Sequence, residues 1–250
     1  MAVLIGLGFG IAAVCGLLLS AVLVVGLLRV HRTLLPVLLA FAAGTLLGAA
    51  LLDLLPEAAH ELSPARVGPL ILAAVVAFFL LERWVRWWHV HTHDPKRHTG
   101  EPSVAGYLIL VGDGLHNLVD GLALGTAVAA DPMLGVAVGL AVVAHEVPQE
   151  VGDFVLLLES GLTRARALIL NLLTALVVFP GIVIGYTVAT AVEPVIGVAL
   201  ALATGAFLYV ALADLIPELH RLGLRESMAM QVAPLLGGIA VIWLAGLVGT

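Results

Sequence analysis

Long apolar runs separated by short polar joins make up most of the chain, and the polar exceptions gather in two of the runs. Eight runs are each long enough, at about 1.5 Å per residue, to cross about 30 Å of hydrocarbon as a helix. They are Ala2–Leu28, Leu34–Leu55, Val67–Trp88, Val104–Ala130, Pro132–Leu158, Ala165–Ala191, Pro194–Leu219 and Val232–Val248. The pattern predicts an all-α polytopic membrane protein with eight transmembrane helices, one domain over residues 1–250. A seven-span reading that merges two of the crowded later segments stays open. The composition agrees: 62% of residues are apolar, 11% are charged, and the mean hydropathy is +1.15. No soluble domain of this length reads that way. Lipid bilayer is the expected surroundings, and with a net charge of −6 there is no basic surface for nucleic acid.

Positive charge sets the expected orientation. Arg29 and Arg32 join spans one and two, and Arg83, Arg86, Lys96 and Arg97 lie at the join of three and four. Arg164 and Arg166 separate five and six, and Arg221 and Arg225 separate seven and eight. Only Arg66 falls on the other side, so ten of the eleven basic residues face what is taken as the cytoplasm. Both termini then lie outside, in a plasma (inner) membrane. Trp84, Trp87 and Trp88 mark the inner interface of span three. Met1 to Leu28 lacks a basic leader region and reads as a span rather than a cleaved signal. Cys15 is the one cysteine, which excludes an intrachain disulfide or a cysteine metal cluster.

An internal repeat follows. The stretch from Gly44 to Glu57 matches that from Gly205 to Glu218 in register, sharing Gly, Asp and the Pro-Glu pair. The two stretches sit in spans two and seven, which cross in opposite directions. That is an inverted repeat of spans 1–3 and 6–8 around spans 4–5, common in secondary transporters.

The polar exceptions fall in spans four and five. His116 and Asp120 share a helix face, with Asn117 beside them and Asp113 continuing the stripe inward. On span five Glu146 and Glu150 share a face, with His145 and Gln149 adjacent and Asp153 further in. His116 and Glu146 lie at matching depth, so antiparallel helices joined at Asp131-Pro132 can bring imidazole and carboxylate together near the midplane. An ionisable residue there costs about 2.5–3.5 kcal/mol on insertion scales. A bound cation explains why several are tolerated, and a buried network tying two helices together is the plainer alternative. Nitrogen and oxygen donors suit zinc first, and also iron, manganese or cadmium.

His116-Asn117-Leu118-Val119-Asp120-Gly121 resembles the fourth-helix signature of the ZIP (Zrt/Irt-like) divalent metal transporters. His145-Glu146-Val147-Pro148-Gln149-Glu150 resembles the fifth-helix signature of its LIV-type branch, in which His is usual where Gln149 stands. The resemblance implies a bacterial member of the family that moves metal toward the cytoplasm by alternating access, often as a homodimer. It implies a transport site of His116, Asn117, Asp120, His145, Glu146, Gln149 and Glu150. Gln149 offers a neutral oxygen in place of nitrogen, and span six offers Asn171 rather than an acid.

Further polar groups have weaker expectations. Asp113 and Asp153 lie on an exit route. The loop from His89 to Ser103 carries His89, His91, His93 and His98, which either bind released metal or form a solvated linker. Glu57, His60 and Glu61 stand at the outer entrance or merely end a helix. The rival function is an intramembrane zinc-dependent hydrolase, because His145-Glu146-Val147-Pro148-Gln149 is similar to His-Glu-x-x-His. Gln149 and Pro148 depart from that pattern, so an enzyme is not expected.

Overall fold

In the computed structural model, residues 2–26, 30–91, 104–192, 195–223 and 228–249 are described. They form eight helical rods. Three rods are single helices close to the predicted limits: α1 (Ala2–Gly26), α5 (Val104–Ala130) and α6 (Pro132–Glu159). Two overrun those limits at both ends, α4 (Pro64–His91) and α11 (Met228–Gly249). Seven of the eight are long and apolar enough to cross a bilayer. The exception is α5, which carries Asp113, His116, Asn117 and Asp120.

The remaining three rods are interrupted, each for a local reason. α2 (Val30–Gly48) runs through a π-helical turn (Ala49–Leu54) into α3 (Leu55–Glu61). α9 (Val195–Tyr209) runs through a second (Val210–Leu215) into α10 (Ile216–Gly223). The sequence places the end of span two at Leu55, before the proline, but the helix continues past it to Glu61. Pro56 and Pro217 have no N–H to give the preceding turn. The residue before each proline therefore reaches back five positions, Leu55 N–H to Ala50 O and Ile216 N–H to Ala211 O. One extra residue per turn absorbs the missing bond without a break. The third interruption separates α7 (Arg164–Ala175) from α8 (Val178–Ala191) at Leu176-Val177.

The joins around α6 are explicit in the local chemistry. Asp131 caps its start, accepting from Met133 N–H at 2.7 Å and Leu134 N–H at 3.0 Å, with Pro132 in the first turn. At its far end Gly161 has φ +100°, which turns the chain so that Leu162 N–H reaches Leu157 O. Thr163 then caps α7.

The inverted repeat is visible in the packing. α5 packs along α8 and α6 along α1, while α2 packs along α11 and α9 along α4. Exchanging spans 1–3 with 6–8, and four with five, turns each pair into the other. The two π-helical turns occupy matching positions of the repeat, each carrying an aspartate, Asp53 or Asp214. Gly44 and Gly205 also correspond. A methyl group on Gly44 would lie 2.1 Å from Leu235 O, and one on Gly205 2.5 Å from Ile71 O. Close backbone approach by small residues is how helices associate in lipid. The main buried core draws on α1, α2, α5, α6, α8 and α9, whereas α4 and α11 turn large apolar side chains outward.

Candidate metal centre

α5 and α6 meet in the core with their polar faces toward one another. Ligand atoms of His116, Asp120, His145 and Glu146 all lie within 4.8 Å of one another. His116 Nε2 is 3.0 Å from His145 Nε2. Asp120 Oδ2 is 2.9 Å from His145 Nε2 and 3.6 Å from His116 Nε2, and Glu146 Oε1 is 4.0 Å from His145 Nε2. Asp120, His145 and Glu146 are fully buried and His116 nearly so.

The orientation of His145 is fixed from behind. Its Nδ1 lies 2.9 Å from Ala141 O, one turn back on α6. A carbonyl can only accept, so Nδ1 donates there, and Nε2 is the atom turned to the cluster, with a lone pair to offer a cation whenever the ring is neutral. Phe207 of α9 sets the ring from another side, with centroids 6.1 Å apart and planes at 62°. Ring nitrogens and carboxylate oxygens thus converge on one small, largely buried volume. A proton on one ring satisfies one such contact, whereas a dication satisfies all four. Among the described residues Glu146 Oε1 accepts no hydrogen bond. An unpaired buried carboxylate oxygen is costly unless a cation faces it.

Not every expected ligand points into this set. Asn117 donates from Nδ2 to Asp113 Oδ1 at 2.9 Å and to Asp113 O at 3.1 Å. The other oxygen of Asp113 accepts from the Thr174 hydroxyl of α7. Glu150 lies one turn beyond Glu146, and its Oε2 accepts from the amide of Asn171. Gln149 and Asp153 are half-buried further along α6. Glu57, His60 and Glu61 form a second group with ligand atoms within 4.8 Å, at the end of α3. α4 stays helical to His91, so His89 and His91 are on a helix rather than in a loop. His93 and His98 lie outside the described residues.

The family model described as ZIP zinc transporter matches residues 1–103 and 89–246. The chain belongs to this family. It is 44% identical to the human zinc transporter ZIP4 over 50% of this chain and 19% of that protein. It is 38% identical to the human zinc transporter ZIP10, over 54% of this chain and 17% of that one. The rat zinc transporter SLC39A7 is 30% identical, over 85% of this chain and 65% of the relative. The chain thus spans about a fifth of the length of the first two. All three belong to the LIV-type branch that the fifth-helix motif indicates. They are animal proteins and lend no support to a bacterial source.

On sequence, Asn171 stands only as what span six offers in place of an acid, and Thr174 carries no expectation. The signal was present: an amide and a hydroxyl three residues apart on an apolar helix share a face. What each would bond could not be read, because the partners sit on other helices.

Proposed function

We propose that this ZIP family chain carries a divalent cation, zinc first, across a membrane toward the cytoplasm by alternating access. The carrying observation is the convergence of His116, Asp120, His145 and Glu146 at the buried meeting of α5 and α6. Two imidazoles and two carboxylates suit a borderline ion such as zinc, and iron, manganese or cadmium can use the same donors. Two carboxylates neutralise one dication, which lowers the cost of holding it away from water. Asn117, Gln149 and Glu150 lie around this set and join it only if their helices or side chains shift.

The basic residues put the joins of α1 with α2 and of α6 with α7 inside, with both termini outside. On that orientation Glu57, His60 and Glu61 gather cations at the entrance. Asp153 and the layer around Asp113 lie on the exit side, and His89, His91, His93 and His98 take up released metal. A homodimer in the plasma membrane completes the reading. The names of the relatives, all zinc transporters, support zinc as cargo. The hydrolase reading has less behind it, since Gln149 replaces the second histidine and Pro148 stands between.

Purified protein in liposomes tests this. Zinc should enter loaded vesicles, and His116→Ala and Glu146→Ala should each remove at least about 90% of the initial rate, as loss of one ligand of four implies. Both variants should still reconstitute. Unchanged initial rates in both would reject the site, and lipid or peptide turnover without zinc entry would favour the hydrolase.

A further inference from the structure

We propose that Phe207 of α9 is a specificity-determining residue: its ring walls the centre with carbon on the α9 side, which favours a four-coordinate zinc over a six-coordinate manganese. The inference rests on the transport site proposed above and concerns which cation that site prefers.

All four converging ligands come from α5 and α6. A further side of the centre falls to α9, which packs on α5 and reaches His145 of α6. What α9 presents there is Phe207, 1% exposed, with its ring centroid 6.1 Å from that of His145. α9 carries two hydroxyls, and the structure commits both elsewhere. Thr204, about one turn before Phe207 and fully buried, donates to Leu200 O at 2.8 Å. Tyr209 donates to Glu82 of α4. Two residues turn a helix by about 200°, so Tyr209 and Phe207 look in opposite directions. The polar side chain of this stretch is thus spent on α4, and the apolar one stands against the centre.

Coordination number makes the consequence definite. Zinc is satisfied by four nitrogen and oxygen donors in a tetrahedron. Manganese favours six donors, mostly oxygen, with water among them. A six-coordinate ion therefore needs two donors beyond the four that converge here. Gln149, one turn after His145, can supply one if it turns in. The other falls to water. His116 keeps 12% of its side chain exposed, and Asp120, His145 and Glu146 keep 2% or less, so water approaches from the His116 side. A buried water needs about two to four polar partners, and a phenyl ring is none. The ring thus penalises the six-coordinate ion without touching the donors that both ions use. Because the His116 side stays open, it weights the choice rather than closing it.

The test uses the full chain in liposomes, with zinc alone or manganese alone outside, and compares initial rates. Leucine and asparagine are close in size, so Phe207→Leu and Phe207→Asn lose the same ring and differ in polarity. Phe207→Leu should keep the wild-type ratio of manganese to zinc uptake. Phe207→Asn should raise that ratio by roughly tenfold, the low end of what a change beside metal ligands does to affinity. Thr204→Val should leave it unchanged, since that hydroxyl is already bonded within α9. Cobalt bound to wild type in nanodiscs gives a readout that needs no variant. The strong visible bands of a four-coordinate ion are expected, weakening toward those of a six-coordinate ion in Phe207→Asn. An equal rise in Phe207→Leu and Phe207→Asn would overturn the inference, because packing and not polarity would then set the ratio. So would an unchanged ratio in Phe207→Asn, a changed one in Thr204→Val, or six-coordinate cobalt in wild type, the last even where Phe207→Asn does not fold. Each of these leaves zinc entry, and so the transport reading, in place. No zinc entry with wild type would instead defeat that reading, and this inference with it.

Discussion

The two helices that make the centre are seated differently. α5 lies against α8 backbone to backbone. A methyl group on Gly121 would come 2.2 Å from Val178 O, and one on Gly125 2.2 Å from Ile182 O. From the other side, a methyl group on Gly181 would come 2.6 Å from Leu118 O, and one on Gly185 2.4 Å from Leu122 O. Four glycines interlock, and none has room for a side chain. α6 lies against α1 through side chains. A methyl on Gly139 would meet the Phe9 ring at 2.4 Å, and one on Gly16 would meet Val147 Cγ2 at 3.1 Å. The inverted repeat relates these two seams, yet one is made of atoms that cannot yield and the other of groups that can turn aside. His116 and Asp120 therefore sit on a helix whose depth is fixed by its own backbone. His145 and Glu146 sit on one that can adjust by repacking.

The comparison can be broken at its rigid end first. Gly125→Leu should cost more than about 3 kcal/mol, the upper range of overpacking, because a carbonyl of α8 must move. Loss of the monodisperse peak in detergent chromatography is the expected result. A variant that melts like wild type would mean that the α5–α8 seam is not tight. At the adaptable seam Gly139→Ala should cost about 1–3 kcal/mol, read as a lowered melting temperature. Adding Phe9→Leu should restore at least about 0.5 kcal/mol, a coupling expected of residues in contact. Additive losses would deny that the ring is what the methyl meets. The smallest effect belongs to Gly16→Ala, where Val147 needs to give only a few tenths of an ångström. It should melt within about 0.5 kcal/mol of wild type, with zinc uptake unchanged. A large loss there would show that the α6–α1 seam is as stiff as its counterpart.

Much of this was readable in the chain. Span number, the pairing of polar motifs on α5 and α6, and the repeat of Gly44–Glu57 in Gly205–Glu218 follow from periodicity and spacing, which are local properties. The small-residue pair Gly121 and Gly125 on α5 signals close approach, but the partner could not be named. Only the fold shows that α8 answers with Gly181 and Gly185. The π-helical turns were hidden because hydropathy carries no record of hydrogen-bond register. Pro56 reads as a helix end, whereas five-residue bonds carry the helix through it and through Pro217. At the centre, composition put five ionisable groups at one depth, and the structure gathers four of them. Glu150 differs from expectation because Asn171, on another helix, donates to it, and Asn117 because its amide turns to Asp113 one turn back on α5.

The direct measurement is zinc K-edge X-ray absorption on the zinc-loaded protein. If one ion sits between α5 and α6, the spectrum should contain scattering from two imidazole rings with oxygen donors completing the shell. His116→Ala and His145→Ala should each reduce the count to one ring. An all-oxygen shell in wild type, or two rings that persist in both variants, would contradict the account.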